Sequence, residues 1–315
     1  MEIRSFAKND EEKVRSLFEL CFGREMPHKE WAWKYKAAPW GSAAAVSLYG
    51  DEIVSHYGGI RMKFYSQGRT LEAFQPCDVM THPKYRARIF ARRGAMIKAG
   101  EHFFAMNRMD FAFGFPSERH AILGTKQLGY TEHDHVTALN KQVSGLSRIW
   151  SPLFKVETGW DTVDRVELDA LWERVRNDYP LLIEKNSSYI FWRYRDNPAK
   201  QYEPLIVKGL YKKDIKAFAV FSIKESRLSV LDFFCAGGMK MRTLFKLLEN
   251  TAVKRGLDSI ELWVNPNEAV FQTLTDYGYK TRKDIPYIFK IQNREINPSF
   301  LFEKYCYRMG DCDSG

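Results

Sequence analysis

Apolar residues along this chain fall into short strand-like runs that alternate with stretches of helical spacing. Ile3 to Phe6 reads as a first strand. Behind it Val14, Leu17, Phe18 and Cys21 share one helical face, and Asn9 or Asp10 is placed to cap that helix. A segment dense in aromatics, Trp31-Ala32-Trp33-Lys34-Tyr35, runs on to Pro39. Ala43 to Tyr49, Ile53 to Gly58 and Arg61 to Tyr65 then read as three short strands. Gly50-Asp51 and Gly58-Gly59 fall at the breaks, and Gln67-Gly68-Arg69 marks the next turn. Thr70 to Thr81 is a further strand. It stops at His82 because Pro83 bars its predecessor from the helical region. Phe90, Gly94, Ile97 and Phe104 follow at helical spacing, so one face of a new helix can lie on a sheet. A strand over Asp110–Phe115, a helix over 117–128 ended by Gly129, and a strand over Tyr130–Leu139 complete the first half.

The order then repeats. Trp33-Lys34-Tyr35 with Pro39 has a counterpart in Trp192-Arg193-Tyr194 with Pro198. Val230 to Cys235 reads as a strand, Arg242 to about Lys254 as a helix, and Ile260 to Val264 as another strand. Asn265-Pro266-Asn267, a helix and Gly278-Tyr279 come next, tracking Pro116-Ser117, a helix and Gly129-Tyr130. Two copies of one mixed α/β module are expected. The expected boundaries are 1–145 for the first copy, a Ser/Gly/Pro-containing linker over 146–159, a second copy over 160–291 and a tail over 292–315.

Composition adds limits. With 315 residues, 45% hydrophobic and 15% aromatic, the chain can build cores for both copies. A net charge of +9 admits a phosphorylated ligand, an anionic surface or nucleic acid. The one dense basic cluster is Lys84, Arg86, Arg88, Arg92 and Arg93, which favours the small phosphorylated ligand; no nucleic acid is expected as partner. The five cysteines are scattered, with no disulfide or zinc spacing, and read as reduced thiols. The charged first ten residues lack the apolar core of a signal peptide, and no window is apolar for long enough to span a membrane; a cytoplasmic protein is expected.

The basic cluster sits where chemistry is expected. A strand ending in His-Pro, opening through arginines into a helix, combines free amide hydrogens, a positive dipole end and guanidinium groups, which suits a pyrophosphate. Val79-Met80-Thr81-His82-Pro83-Lys84-Tyr85-Arg86-Ala87-Arg88 at that strand end also resembles the acyl-CoA-binding segment of the GNAT superfamily of N-acyltransferases. There a loop of pattern Gln/Arg-x-x-Gly-x-Gly/Ala holds the CoA pyrophosphate. Matched by position, Arg86 takes the first place and Ala91 the last, while Ile89 stands where the family has glycine. The strand–Pro–helix–Gly-Tyr endings of both halves are similar to the close of a GNAT domain. The second copy has Gly237-Gly238 in the equivalent loop but no arginine pair, so one donor site, in the first half, is expected.

The resemblance implies two tandem GNAT-like modules and an N-acetyltransferase. It would move an acyl group, acetyl being the expected one, from acyl-CoA to a primary amine of a small acceptor, an amino sugar among the candidates, without a metal. It implies donor contacts from Val79, Met80, Thr81, Arg86, Ala87, Arg88, Ile89, Phe90 and Ala91, with backbone amides near Val79 and Met80 polarising the thioester carbonyl. Asp78, on the same strand, is the candidate base. Trp33, His56, Tyr57 and His133 are candidate acceptor contacts. The family's leaving-group tyrosine would stand at Thr125. His133 and His135 alternate on one strand face, but no third metal ligand is recognisable. The end, Tyr305 to Asp313, reads as a disordered terminus by default, with aspartates that could enter the cleft. Two other readings stand beside the acetyltransferase. One is a Fem-type transferase drawing aminoacyl groups from tRNA; the other is a GNAT-fold binding protein without turnover.

Overall fold

A computed structural model describes residues 1–88, 94–147, 154–210, 214–236 and 239–313. The chain divides into two compact units: residues 1–63, 71–134 and 286–298 form the first, and residues 64–70, 135–285 and 299–315 the second.

In chain order the first half comprises β1 (Glu2–Ser5), α1 (Glu11–Phe22), α2 (His28–Trp31), β2 (Ser42–Tyr49), β3 (Glu52–Ser66), β4 (Arg69–Thr81), α3 (Ala95–Met106), β5 (Phe111–Gly114), α4 (Glu118–Leu128) and β6 (Thr131–Gln142). α2 runs straight into a π-helical turn, Ala32–Lys36. The second half comprises β7 (Phe154–Thr158), α5 (Arg165–Val175), β8 (Leu182–Ile183), α6 (Ser187–Ile190) with its own π-helical turn Phe191–Arg195, β9 (Glu203–Gly209), β10 (Ile215–Lys224), β11 (Arg227–Cys235), α7 (Met241–Lys254), β12 (Ser259–Trp263), α8 (Ala269–Asp276), β13 (Lys280–Ile291) and α9 (Pro298–Lys304). The repeated aromatic motif thus adopts the same rare helix type twice, which supports duplication at the level of backbone geometry.

In the first unit the strands run β1-β2-β3-β4-β5, closed by the last residues of β13, with Ile288 opposite Gly114 and Ile291 opposite Phe111. Successive residues of β2 feed opposite faces. Ala45 joins Phe103, Phe104 and Ile97 of α3 with Ala121 and Leu128 of α4, while Val46 joins Val14, Leu17 and Phe18 of α1 with Trp31. In the second unit the order is β6-β12-β11-β10-β9-β7, and the core packs α7 and α8 through Leu244, Phe245, Leu248, Val270 and Leu274. Each unit therefore takes its closing strand from the other half of the sequence. β6 pairs with β12 from Ala138 opposite Trp263 to Gln142 opposite Ser259.

Several local expectations differ from the structure. Ile53–Gly58 and Arg61–Tyr65 are one unbroken strand, β3. Gly58 and Gly59 are there for closeness, not for a turn. A Cβ on Gly58 would lie 2.5 Å from the Tyr35 hydroxyl and 2.7 Å from Cε1 of His56, and one on Gly59 2.6 Å from the Phe103 ring. Asp10 stands at the N-cap of α1, but its carboxylate serves Arg4 at 2.6 and 2.8 Å instead of capping. The helix after the basic cluster starts at Ala95, with Gly94 as its extended N-cap, while Pro83–Arg88 form a 3-10 turn. Within the stretch 146–159, Phe154–Thr158 is a sheet strand paired to β9. The end of the chain is not loose. Tyr305, Cys306, Tyr307, Arg308, Asp311 and Cys312 are buried.

Candidate active site

β4 and β5 run parallel and pair only at Ala73–Phe111 and Phe74–Ala112. Beyond Phe74, β4 continues for seven residues to Thr81, so its edge facing away from β3 is released just before the His-Pro stop. A cavity of about 240 Å³ lies at this end, lined by Val79, Met80 and Thr81 of β4, Arg86, Met96 of α3, Arg119, His120 and Leu123 of α4, and Cys21 and Phe22 of α1. Arg86 donates from Nε to the Thr81 carbonyl at 3.0 Å, which fixes the guanidinium at the cavity rim. The Cys21 thiol donates to the same carbonyl at 3.3 Å. Burial pushes that thiol up, against the Arg86 charge, so it stays protonated.

Directly before this edge Asp78 sits in the left-handed region, φ +48°. An aspartate tolerates that conformation better than most residues, at a cost of roughly 1–3 kcal/mol, so the surroundings must hold it. Three do. Lys34 Nζ lies 2.9 Å from Oδ1, the Tyr35 hydroxyl donates to Oδ2 at 2.6 Å, and His56 Nδ1 lies 2.8 Å from the Asp78 carbonyl oxygen. Burial and the neighbouring Asp78 charge hold Tyr35 well above the ordinary phenol range, so it remains a donor. The Asp78 carboxylate is therefore engaged on both oxygens, and a free base is not what this geometry presents.

The other expected site residues separate into two groups. Val79, Met80, Thr81 and Arg86 come together at the cavity. Ala87 and Arg88 belong to the 3-10 turn, and Ile89, Phe90 and Ala91 lie outside the described residues. Trp33, His56 and Tyr57 are buried in the first unit, where the Tyr57 hydroxyl meets that of Tyr130 at 3.0 Å. They are wall material rather than surfaces open to an acceptor. His133 is placed on β6, and its side chain lies outside what is described. Thr125 donates to its own helix at Ile122, 3.1 Å, and is half-buried. Lys34 and Tyr35 of the repeated aromatic motif also belong to the site, and Arg119, His120 and Cys21 complete it without a motif to flag them. His120 has Nδ1 2.9 Å from the Ser117 hydroxyl, and burial followed by Arg119 lowers its pKa, so the imidazole is neutral near pH 7. Among the described residues the set of metal-capable side chains is Glu11, Glu12 and His28, on the surface and already matched by Lys36 and Arg15.

The second unit repeats the lock. The Tyr194 hydroxyl donates to Asp232 on β11 at 2.9 Å, as Tyr35 does to Asp78 on β4. β11 pairs in parallel with β12 from Arg227–Ser259 to Val230–Leu262 and then parts from it. Here the freed edge is covered by the chain's own end. A Cβ on Gly310 would overlap the Tyr194 hydroxyl and come within 2.9 Å of the Leu231 carbonyl. Asp311 reaches Lys185 at 2.6 Å and Tyr305 at 2.9 Å, while Lys185 also contacts Asp232 at 2.7 Å. Arg193 donates to the Gly310 and Cys312 carbonyls, and Arg308 pairs with both Glu268 oxygens at 2.8 Å. Asn265 donates to Phe302 and Tyr305 carbonyls at 3.0 Å each.

Residues 2–131 match the model of the acetyltransferase (GNAT) domain. Over those residues the chain is similar to a GNAT domain, and over most of its length its fold is that of tandem GNAT structures. Its fold is similar to that of a conserved protein of Enterococcus faecalis V583 described as a probable N-acyltransferase, at 13% identity and TM-score 0.73 over 96% of this chain and 75% of that one. It is also similar to a GCN5-related N-acetyltransferase from Anabaena variabilis, at 11% identity and TM-score 0.67 over 92% of this chain and 73% of that one. A tandem GNAT protein from the clavulanic acid biosynthesis pathway matches at 12% identity and TM-score 0.57, over 92% of this chain and 98% of that one. No curated protein matches the chain in sequence. Among the described residues, no helix is long and apolar enough to cross a membrane.

Proposed function

We propose that the first unit is an N-acyltransferase that takes an acyl group, acetyl in the simplest case, from acyl-CoA and gives it to a primary amine of a small acceptor such as an amino sugar. The observation that carries this reading is the cavity at the freed end of β4, lined by Val79–Thr81 and flanked by Arg86 and Arg119. An acyl-pantetheine arm could complete the freed strand edge, and the two arginines suit its phosphates. The backbone from Ala87 through Ala91 would serve the pyrophosphate, with Ile89 in place of the family's glycine.

In the transfer the amine nitrogen attacks the thioester carbonyl carbon, the C–N bond forms, and the C–S bond breaks to release CoA. The Val79 and Met80 amides would stabilise charge on the carbonyl oxygen. The acceptor must lose a proton and the thiolate must gain one. The neutral imidazole of His120 at the cavity can accept the first and return it to sulfur. Asp78 acts in this scheme by holding the strand, as an ion pair with Lys34, instead of as the base. The second unit, its own edge filled by Gly310 and Asp311, would bind no donor.

The test is isothermal titration with acetyl-CoA followed by thiol release with a panel of primary amines. One acetyl-CoA per chain and amine-dependent thiol release are expected. Absence of heat at millimolar acetyl-CoA, or two equivalents bound, contradicts the reading. A second reading, a GNAT-fold acyl-CoA binder without turnover, draws on Thr125, whose hydroxyl is spent on its own helix where the family has a tyrosine. Binding of acetyl-CoA with no thiol release from any amine would select it. Salt-sensitive tRNA binding without acetyl-CoA binding would select the Fem-type alternative instead.

A further inference from the structure

His56 is the buried histidine that this scheme leaves without a task. It lies on β3, fully buried, beneath the peptide that joins Asp78 to Val79. The Asp78 carbonyl has no proton to give, so Nδ1 carries the hydrogen and donates it. Nε2 then holds a bare lone pair, and it is buried with no hydrogen-bond partner. The charged groups facing the ring are the Asp78 carboxylate and the Lys34 ammonium. The Tyr35 ring stands edge-on at 6.0 Å and Trp31 tilts over it at 6.5 Å. Only a glycine at position 58 leaves room for Cε1. A ring held this tightly, with one nitrogen left unsatisfied, is an expensive way to fill a core. What it supplies is one neutral donor aimed at one carbonyl.

That carbonyl belongs to the same peptide unit as the Val79 N–H. In a planar trans peptide the two point in opposite directions. Fixing the Asp78 oxygen towards His56 on β3 therefore turns the Val79 N–H away from β3, to the freed edge of β4. Strand alternation gives the same answer independently. The His82 N–H donates to Val54 on β3 at 2.9 Å, so along the extended end of β4 the amides of residues 81 and 79 face the other side. Left alone, Asp78 would relax from φ +48° towards the β region, and that relaxation would rotate this very peptide.

We infer that His56 is a positioning residue for acyl transfer: by holding the Asp78 carbonyl it aims the Val79 amide at the thioester oxygen. The inference rests on the acyl-transfer reading and deepens it. His56 touches neither substrate nor leaving group; it sets the direction of the group that does.

The experiment uses acetyl-CoA labelled with ¹³C at the thioester carbonyl, bound to the full chain, read by isotope-edited infrared difference spectroscopy beside titration of affinity. Native protein should show the carbonyl band at lower wavenumber than acetyl-CoA free in buffer. Asparagine places its amide nitrogen where His56 has Nδ1, so His56→Asn should keep the shifted band. His56→Leu fills similar volume without a donor and should bind acetyl-CoA within about threefold of native while the band returns to the free position. A shifted band retained in His56→Leu, an unshifted band in native protein, or an affinity loss in His56→Leu that removes binding together with the shift overturns the assignment. If His56→Leu does not fold, His56→Gln replaces it: its amide reaches one bond too far, so asparagine should preserve the band and glutamine lose it, and equal behaviour of the two overturns the proposal. Native protein that binds no acetyl-CoA overturns the acyl-transfer reading itself, a result separable from failure of the His56 role.

Discussion

The two units make the same tyrosine–aspartate contact on the strand that parts from its neighbour, yet leave that strand's edge in different states. In the first, Tyr35 and Asp78 stand behind an edge that borders a cavity. In the second, Tyr194 and Asp232 stand behind an edge covered by Gly310, Asp311 and the aromatic run before them. The lock is thus a property of the fold, and the open edge is a property of one copy. The difference also shows in the backbone. Asp78 is strained at φ +48°, whereas Asp232 is not among the residues of positive φ. Strain is kept where a ligand is expected and absent where the chain serves as its own filler.

The largest test of this contrast is the charge cluster that seats the chain's end. Lys185 stands between Asp232 and Asp311 with all three buried, so Lys185→Met leaves two carboxylates facing each other without a cation. A loss of about 3–5 kcal/mol in urea unfolding is expected. A loss under about 1 kcal/mol would mean that the terminal segment is not anchored there.

Next comes the pair Tyr35→Phe and Tyr194→Phe. Each removes a hydrogen bond to a carboxylate, for about 1.5–3 kcal/mol of stability. They should part in function: the first weakens acetyl-CoA binding by loosening Asp78, and the second leaves it unchanged. Equal affinities in both variants would strip the open-versus-covered distinction of meaning for ligand binding.

Arg86→Ala should raise the acetyl-CoA dissociation constant about tenfold, close to 1.4 kcal/mol, and flatten its salt dependence. Unchanged affinity at low and high salt would move the phosphates elsewhere.

The smallest effect is a pH slope. Burial holds His56 below its ordinary value in the folded state, so folding favours the neutral ring. Its contribution is fully present above the unfolded pKa near 6.5 and is lost as pH falls from there towards the folded value. Thermal unfolding should therefore become easier below about pH 6.5, by at most ~1.4 kcal/mol per pH unit from this group. His56→Asn should remove that share of the slope; an identical slope in the variant would show that His56 does not titrate there.

Much of the element order was readable because its signals are local. Pro83 ends a strand by its own stereochemistry, Gly129 ends α4 in the left-handed region at φ +69°, and the apolar spacing of α1 names the face it buries. The site was readable only along one strand. Asp78 stood out as a carboxylate beside Val79 and Met80, but nothing local says that Lys34 and Tyr35 occupy both its oxygens. Gly58-Gly59 reads as a break in the sequence, since a glycine needed for close approach and one needed for a turn are spelled alike.

The sequence by itself determined that there are two copies of one α/β module, that they share an aromatic motif, and that one strand end carries the basic cluster. Repetition and periodicity are written in neighbouring residues, and the backbone obeys them wherever the segment is placed. Tertiary structure alone decided which strand closes each unit, which carboxylate meets which lysine, and that the residues from Tyr305 to Asp313 fold inward. Those outcomes depend on groups far apart in the chain. A polar, aspartate-rich end becomes a buried one only when Lys185, Arg193 and Glu268 are already in position to satisfy it.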